Sequence, residues 1–271
     1  MSSARTDRTV EVGDLSVAYS EAGEGRPVVL VHGLAEDRST WAVQQRELTG
    51  WRTYAYDLRG LGDTSLGSAD GTLDQLVADL VGFVETVTGP AVLVGFSLGG
   101  TLVLRAAADR PDLVTRAVVL GTSSVVGRTA AAFYGERIAL MESGSAQERA
   151  AALHEDTAPA IVTATDRLDE VVAARVRAVG EGGGYVNAAS AMASINQSPL
   201  TPRLGEIRCP VDVVGASDDS FCPRKAADIM VAALPDSTYH EVPAAGHLMN
   251  VDNPDGVTAV LRSILEGTDQ T

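Results

Sequence analysis

Residues 91–100 constrain the fold of this chain more than any other stretch, because they join an apolar strand, a sharp turn and a helix start. Val92, Leu93 and Val94 form a buried-strand run, and the turn that follows has the pattern Gly-x-Ser-x-Gly with Ser97 at its centre. Such a turn exposes the serine hydroxyl, and its glycines let strand and helix approach closely. The helix N-terminus favours an oxyanion beside the serine. Ser97 is therefore the candidate nucleophile.

The context of this turn matters because a five-residue motif also occurs by chance. Residues 98–108 are apolar nearly all round apart from Arg105, as expected for a helix packed inside a larger core. Strand, turn and helix therefore agree with one another, which favours a nucleophile over a serine in an ordinary glycine-rich turn.

The rest of the chain alternates between strand and helix patterns. The predicted strands are Thr9–Val12, Leu15–Tyr19, Pro27–His32, Thr53–Asp57, Arg116–Gly121, Pro210–Gly215 and Thr238–Val242. The predicted helices begin near Ser39, Leu73, Leu98, Arg224 and Pro254. We expect a capping box from Thr72 and Gln75 at one helix start, and an Asn253 cap with Pro254 at another. The alternation predicts an α/β fold with a mostly parallel central sheet flanked by helices.

A long interruption separates two of these strands. Residues 122–204 show no strand pattern, only alanine-rich helical stretches broken by Gly144, Pro159 and the glycine run at 182–184. The segment is too long for a connecting loop, because loops without structure of their own seldom exceed about fifteen residues. We therefore expect a core formed by residues 1–121 and 205–271, with residues 122–204 inserted as a helical cap.

Composition excludes several classes of partner. The net charge of −15 repels nucleic-acid phosphates and anionic membrane surfaces, so neither is expected as a partner. No signal peptide and no run of eighteen apolar residues is apparent, which predicts a soluble, cytoplasmic protein. Cys209 and Cys222 lack partners at metal-ligand spacing, and we expect neither a metal nor a cofactor. Formation of a homo-oligomer stays open.

A serine hydroxyl needs a general base, and histidine is the usual one. The chain has four histidines, at positions 32, 154, 240 and 247. Only His247 lies on a glycine-rich loop after a strand and before the terminal helix, where a side chain can reach the turn at Ser97. His247 is therefore the candidate base.

Four motifs in the same order resemble those of the α/β-hydrolases, over nearly the whole chain outside the insertion. They are Val-Val-Leu-Val-His-Gly at 28–33, Asp-Leu-Arg-Gly-Leu-Gly at 57–62, Gly-Phe-Ser-Leu-Gly-Gly at 95–100 and Gly-His-Leu-Met-Asn at 246–250. The second motif has Leu61 where the family often has histidine and Thr64 where serine is frequent, and neither change touches a catalytic role. We expect its acid and arginine to stabilise the turn. The resemblance implies the α/β-hydrolase fold.

The resemblance leaves two carboxylates as candidates for the acid that orients His247. Residues 210–223 match the family's strand, loop and Asp-x-x-x-Pro pattern without a gap, which selects Asp219. Counting forward from Gly215 as the loop glycine selects Asp218, but the spacing to Pro223 is then one residue too long. We favour Asp219, with Asp218 as a turn residue. The order Ser97, Asp219, His247 is the one expected for this fold.

The oxyanion hole would use the backbone N–H of Leu98, the residue after the nucleophile, and by resemblance that of Leu34. Within the serine group, Gly-Phe-Ser-Leu-Gly-Gly, Trp41 and Gly-His-Leu-Met-Asn resemble 3-oxoadipate enol-lactonases and related lactone or ester hydrolases. We therefore expect a small-molecule ester or lactone substrate. The candidate pocket residues are Trp41, Phe96, Phe133, Tyr134, Met192 and Leu248. Arginines of the insertion could bind a substrate carboxylate, although at helical spacing arginines are more often solvated.

Two other functions remain compatible with the same residues. A carbon–carbon bond hydrolase of diketones, or a thioester hydrolase, would use the same three side chains. A non-enzymatic sensor would retain the pocket without turnover, but a complete set of nucleophile, base and acid argues against it. The leading hypothesis is a carboxylic ester hydrolase.

Overall fold

The structure, a computed structural model, describes residues 5–267 and contains an eight-stranded sheet. The strands are β1 (Thr6–Val12), β2 (Leu15–Ala22), β3 (Arg26–Val31), β4 (Trp51–Tyr56), β5 (Ala91–Phe96), β6 (Val114–Leu120), β7 (Val211–Ala216) and β8 (Ser237–Val242). Their order across the sheet is β1-β2-β4-β3-β5-β6-β7-β8. β2 pairs antiparallel with β1 and β4, and all other neighbours are parallel. The predicted mostly parallel sheet is confirmed.

Helices cover both faces of the sheet. They are α1 (Ala42–Glu47), α2 (Leu73–Phe83), α3 (Leu98–Asp109), α4 (Arg128–Ser143), α5 (Ala146–Thr157), α6 (Leu168–Val179), α7 (Gly183–Ser194), α8 (Arg224–Ala233), α9 (Met249–Asp252) and α10 (Pro254–Glu266). Buried side chains of α2, α3 and α8 belong to the core on one face, and those of α10 belong to the core on the other.

The central strands are apolar on both faces because both faces are covered. In β3, Val29 and Val31 enter one core, whereas Val28 and Leu30 enter the other, and all four side chains are fully buried. This alternation follows from the two-residue period of a strand. Each buried valine or leucine contributes about 1.5–3 kcal/mol relative to an exposed one. A rigid sheet therefore carries the loops at the carboxyl ends of the strands.

The start of α2 forms only half of the predicted capping box. The Thr72 hydroxyl accepts the Gln75 N–H at 3.1 Å, as expected. The Gln75 side chain does not return to the Thr72 backbone; it bonds the Asp70 N–H and the Ser68 carbonyl instead. The expectation was wrong because Asp70 itself accepts the Thr72 N–H at 2.9 Å. The Thr72 N–H, which the Gln75 side chain was expected to accept, is thus hydrogen-bonded to the preceding loop.

The turn after β4 is held by its acid and its arginine. The Asp57 carboxylate is buried and accepts the Arg38 N–H at 2.6 Å, the Asp63 N–H at 2.9 Å and the Arg38 guanidinium. Arg59 is also buried and forms a bidentate pair with Asp79, both bonds being 2.8 Å. Both side chains are committed to structure, in agreement with the expectation that they stabilise the turn.

Within the described residues, the segment between β6 and β7 contains helices and no strand. Residues 122–204, here called the cap, include α4 to α7. The cap contacts the sheet layer where Gly184 meets Gly60, since a Cβ on Gly184 would lie 2.1 Å from the Gly60 carbonyl oxygen. The Gly62 N–H also donates to the Ala178 carbonyl at 2.9 Å. The division into core and cap domains stays a prediction.

Candidate active site

Ser97 lies on a strained turn between β5 and α3. Its backbone has φ 50° and ψ −117°, a left-handed conformation that L-residues rarely adopt. The flanking glycines are required by close approach: a Cβ on Gly95 would lie 2.3 Å from the Gly99 oxygen, and one on Gly99 would lie 2.4 Å from the Val31 oxygen. The turn therefore has the geometry of a nucleophile elbow, with the hydroxyl half-exposed at the edge of the sheet.

His247 reaches Ser97 from the loop after β8. Its Nε2 lies 3.1 Å from the Ser97 Oγ. Its Nδ1 lies 2.9 Å from the Oδ2 of Asp219, which follows β7. The three side chains come from the ends of three parallel strands, where the carboxyl edge of the sheet gathers residues far apart in sequence. The structure thus brings together the predicted nucleophile, base and acid.

The two adjacent aspartates have different surroundings. Asp219 is 5% exposed, and its Oδ1 accepts the Phe221 and Cys222 N–H groups, each at 2.8 Å. Asp218 is exposed, and its carboxylate accepts the hydroxyl of Ser217 at 2.6 Å. Of the two, Asp219 is the carboxylate hydrogen-bonded to His247.

The environment of Asp219 keeps its carboxylate ionised. Burial alone would raise the pKa of this group. The hydrogen bond from His247, the charge of that ring and the two backbone donors outweigh burial, so that the pKa of Asp219 is lowered below its ordinary value. A charged acceptor opposite Nδ1 favours the tautomer with hydrogen on Nδ1, which leaves Nε2 free to accept a proton from Ser97.

The two predicted oxyanion donors are the N–H groups of Leu98, directly after Ser97, and of Leu34, in the loop after β3. Leu98 is the first residue of α3, so its N–H is one of those that have no acceptor inside the helix. Leu34 follows β3 and lines the same small cavity as Ser97 and His247. His32, just before this loop, is fully buried and fixed by two hydrogen bonds, with its Nε2 accepting the Leu58 N–H at 3.0 Å.

Two chambers open on Ser97 and His247. The larger one, here called the valine chamber, has a volume of about 480 Å³. Its lining includes Val125, Val126, Phe133, Tyr134, Met192 and Phe221. The smaller one, here called the arginine chamber, has a volume of about 80 Å³. Its lining includes Leu34, Phe96, Tyr134, Arg175, Tyr185 and Leu248.

Five of the six predicted pocket residues line these chambers. Phe133 and Tyr134 line both, Met192 lines the valine chamber, and Phe96 and Leu248 line the arginine chamber. Their contact with substrate stays a prediction, because a lining position does not by itself show binding.

The sixth predicted pocket residue, Trp41, lines neither chamber, which corrects the prediction. Its side chain is fully buried in the core, in the same cluster as Val28, Leu30 and Leu48, and lies outside the lining of both chambers. Trp41 ends the short helical turn Arg38–Trp41 and is the buried residue of that turn. The expectation failed because a motif position fixes the residue's place in the chain, whereas packing decides which way the ring points.

Phe221 and Arg175 are among the chamber residues that were not singled out from the sequence. Phe221 is 45% exposed, and its ring stacks on His247 with centroids 5.2 Å apart. Its place two residues after Asp219, the predicted acid, was the available signal, since a loop that supplies the acid would also border the predicted base. Arg175, on α6, lines the arginine chamber. Sequence alone could not separate it from Arg177, the exposed arginine of the same helix.

Asp252 ties the cap to the histidine loop. Its carboxylate accepts the backbone N–H groups of Val162, Thr163 and Ala164 in the cap and of Gly246 beside the base, at distances of 2.8 to 3.2 Å. Burial would raise the pKa of this half-buried carboxyl, but the four donors lower it. The position of His247 is therefore coupled to the segment that follows α5.

Comparison with known proteins identifies the family. The model of the α/β-hydrolase fold family matches residues 26–254. The chain belongs to this family, as the four motifs predicted. A pyrrolizixenacetamide deacetylase of Xenorhabdus hominickii is 31% identical over 267 residues, with 96% of this chain and 98% of the relative covered.

Solved structures agree with this assignment. An enol-lactonase from Burkholderia xenovorans superposes with a TM-score of 0.85 at 23% identity, with 96% of this chain and all of that chain covered. A thermophilic esterase from Thermogutta terrifontis, solved with malate bound, gives a TM-score of 0.83 at 25% identity and covers 97% and 98% of the two chains. The predicted fold is confirmed, and so is the prediction of an enzyme related to ester hydrolases.

A membrane-spanning helix and a cluster of metal-binding side chains are both absent from the part of the chain that the structure describes. No helix within residues 5–267 is long and apolar enough to cross a membrane. No group of three or more histidine, cysteine, aspartate or glutamate side chains in that range could hold a metal ion.

Proposed function

We propose that this chain is a serine hydrolase that cleaves a carboxylic ester, either a lactone or a small linear ester, through an acyl-enzyme intermediate. The observation that carries the proposal is the continuous hydrogen-bonded line from Ser97 Oγ through His247 to Asp219, with steps of 3.1 and 2.9 Å. Both distances are within or near the reach required for proton transfer to a general base.

In the first step, Ser97 Oγ attacks the ester carbonyl while His247 Nε2 takes its proton. Asp219 holds the ring by Nδ1 and stabilises the imidazolium that forms. The negative charge that develops on the carbonyl oxygen would be met by the N–H groups of Leu34 and Leu98 and by the N-terminus of α3. Collapse of the tetrahedral intermediate expels the alcohol, which takes the proton from His247.

In the second step, water replaces the alcohol. His247 removes a proton from this water, which attacks the carbonyl of the acyl group on Ser97. Collapse of the second intermediate releases the acid and returns the proton to the Ser97 oxygen. In a lactone the leaving alcohol stays attached to the acyl chain, so the chambers must hold both parts of the product. Their combined size suits a small molecule.

The relatives favour acyl transfer to water as the reaction class. The structural neighbours include an enol-lactonase and an esterase, and the deacetylase relative extends the class to an acetamide. Amide hydrolysis is therefore the second candidate, because a deacetylase shares 31% identity over nearly the whole chain. Carbon–carbon and thioester hydrolysis would use the same nucleophile and base.

A matched panel tests the proposal. The purified chain and Ser97→Ala are assayed on lactones, short p-nitrophenyl esters, acetanilides, acyl thioesters and diketones. We expect turnover of esters or lactones by the wild type and loss of about 10⁶ in turnover for the alanine variant. Equal hydrolysis by the two proteins would contradict the proposal, as would turnover confined to diketones or thioesters. A folded wild type that hydrolyses nothing in the panel would favour the sensor.

A further inference from the structure

Arg175 is a cation without an anionic partner among the described residues, and it lines the same chamber as the proposed nucleophile. Arg175 lines the arginine chamber together with Ser97 and His247. Its Nε is buried and has no hydrogen-bond partner within residues 5–267. Its one hydrogen bond there runs from Nη2 to the Leu34 carbonyl, at 3.5 Å, and no ion pair forms. The side chain as a whole is half-buried, and a partly desolvated guanidinium is stabilised by an anion, so this arrangement suits an anionic ligand.

The other charges of the arginine chamber do not supply that anion. Asp156 also lines it, but this carboxylate is held by Arg137 through three contacts of 2.7 to 3.1 Å. A third cavity, which Arg175 also lines, is lined by Glu36 and Glu170. Glu36 accepts the Gly33 N–H at 3.0 Å, and Glu170 pairs with Arg167. Each nearby carboxylate thus has its own donor.

Two tyrosines line the same chamber as Arg175. Tyr134 and Tyr185 line the arginine chamber, and neither hydroxyl has a partner within the described residues. Burial raises the pKa of Tyr134 to about 12 and that of Tyr185 further, so both remain protonated donors at neutral pH. A planar guanidinium and two hydroxyls are the donor set that suits a carboxylate, which accepts through two oxygens.

We propose that the substrate is an ester or lactone carrying a carboxylate, and that Arg175, Tyr134 and Tyr185 bind this carboxylate while the scissile carbonyl lies at Ser97. The inference rests on the proposed function and narrows its substrate class. The apolar part of the substrate occupies the valine chamber, whose walls include Val125, Val126 and Met192. Ser97 and His247 line both chambers, so the cleaved bond lies where they meet.

Matched ester pairs test the proposal on the wild-type protein. One pair is the mono-p-nitrophenyl ester of glutaric acid and p-nitrophenyl valerate, whose acyl groups have equal length and differ in the terminal carboxylate. The other is 4-carboxyphenyl butyrate and phenyl butyrate, which places the charge on the alcohol. After subtraction of uncatalysed rates, we expect kcat/KM to favour the charged member of at least one pair by about 10- to 100-fold, the range for hydrogen bonds to a charged group.

Substitutions then assign the preference to Arg175. Arg175→Gln should bring the favoured pair to within about twofold, because KM rises more for the charged ester, which loses its cation, than for the neutral ester. Arg175→Lys should keep part of the preference, because it retains the charge without the planar fork. The control is Arg177→Gln, since Arg177 is exposed on the same helix and lines neither chamber. It should keep the full preference.

The outcomes separate this proposal from the proposed function. Hydrolysis of the neutral esters without preference for either charged ester overturns the carboxylate site and leaves the hydrolase intact. A preference that survives in folded Arg175→Gln also overturns it. If no ester is cleaved, the proposed function fails, and binding is read from melting temperature. Glutarate, but not glutaramide, should then stabilise the wild type and not Arg175→Gln; equal stabilisation, or none, contradicts the site.

Discussion

Replacement of Asp219 by asparagine removes one charge next to His247 at nearly constant volume. The Oδ1 of Asp219 accepts two backbone N–H groups, and an asparagine oxygen can keep both bonds. The amide nitrogen then takes the Oδ2 position, 2.9 Å from His247 Nδ1, and donates to it. The ring is forced into the tautomer with hydrogen on Nε2, which faces Ser97 and can no longer accept its proton.

The size of this effect follows from the loss of the base. Wrong-tautomer variants of such triads lose about 10⁴ in turnover, or about 5.5 kcal/mol of transition-state stabilisation. Asp218→Asn is the control, because that exposed carboxylate bonds only the neighbouring hydroxyl of Ser217 among the described side chains. It should change activity by less than about threefold and stability by less than about 1 kcal/mol.

The assay is kcat/KM on the best ester of the panel, with thermal melting to verify the fold. We expect Asp219→Asn to melt near the wild type and to lose activity by several orders of magnitude. A folded Asp219→Asn with more than a tenth of wild-type activity would refute the tautomer argument. Loss of activity in Asp218→Asn with retention in Asp219→Asn would show that the other carboxylate acts.

Three further predictions concern the elements that hold the site. Gly99→Ala should prevent folding or lower the free energy of unfolding by at least about 3 kcal/mol in chemical denaturation, because the new Cβ would lie 2.4 Å from the Val31 carbonyl oxygen. The control is Gly135→Ala, whose new Cβ would have no atom within 4 Å and which should be neutral or stabilising. Asp252→Ala should lower the melting temperature by about 3–8 °C and reduce kcat, because four backbone N–H groups lose their charged acceptor. An unchanged kcat would contradict the coupling between the cap and His247. The pKa values of Asp219 and Asp252 are lowered in the folded chain. Their contribution to stability is therefore full above the pKa of an unfolded aspartate, about 4, and is lost as the pH falls through the pKa values of the folded chain. Asp252→Asn should therefore make the free energy of unfolding depend less steeply on pH in the acid range.

The parts of the fold that local chemistry decides were predictable from the sequence. The strand run at 92–94, the glycines around Ser97 and the helix after them describe one local structure, and the structure has it. His247 stood out because of its loop and Asp219 because of its register. Asn253 accepts the Gly256 N–H at 2.8 Å at the start of α10, as its N-cap position predicted.

The features that depend on long-range packing could not be predicted from local sequence. The Thr72 cap is completed by Asp70 rather than by Gln75, because a loop residue competes for the same N–H. Trp41 turns into the core, although its chain position suggested the pocket. The cap was visible as helical sequence, but only the fold shows that Arg175, and not Arg177 of the same helix, lines the same chamber as Ser97. Each of these outcomes depends on neighbours distant in sequence.

Covalent labelling tests the central claim, that Ser97 is the nucleophile, most directly. The wild type, Ser97→Ala and His247→Ala are treated with a fluorophosphonate, digested and mapped by mass spectrometry. We predict one label on the peptide containing Ser97 in the wild type, strongly slowed labelling of that peptide in His247→Ala, and none in Ser97→Ala. A label on any other residue of the wild type, or an unlabelled protein that still hydrolyses esters, would contradict the account.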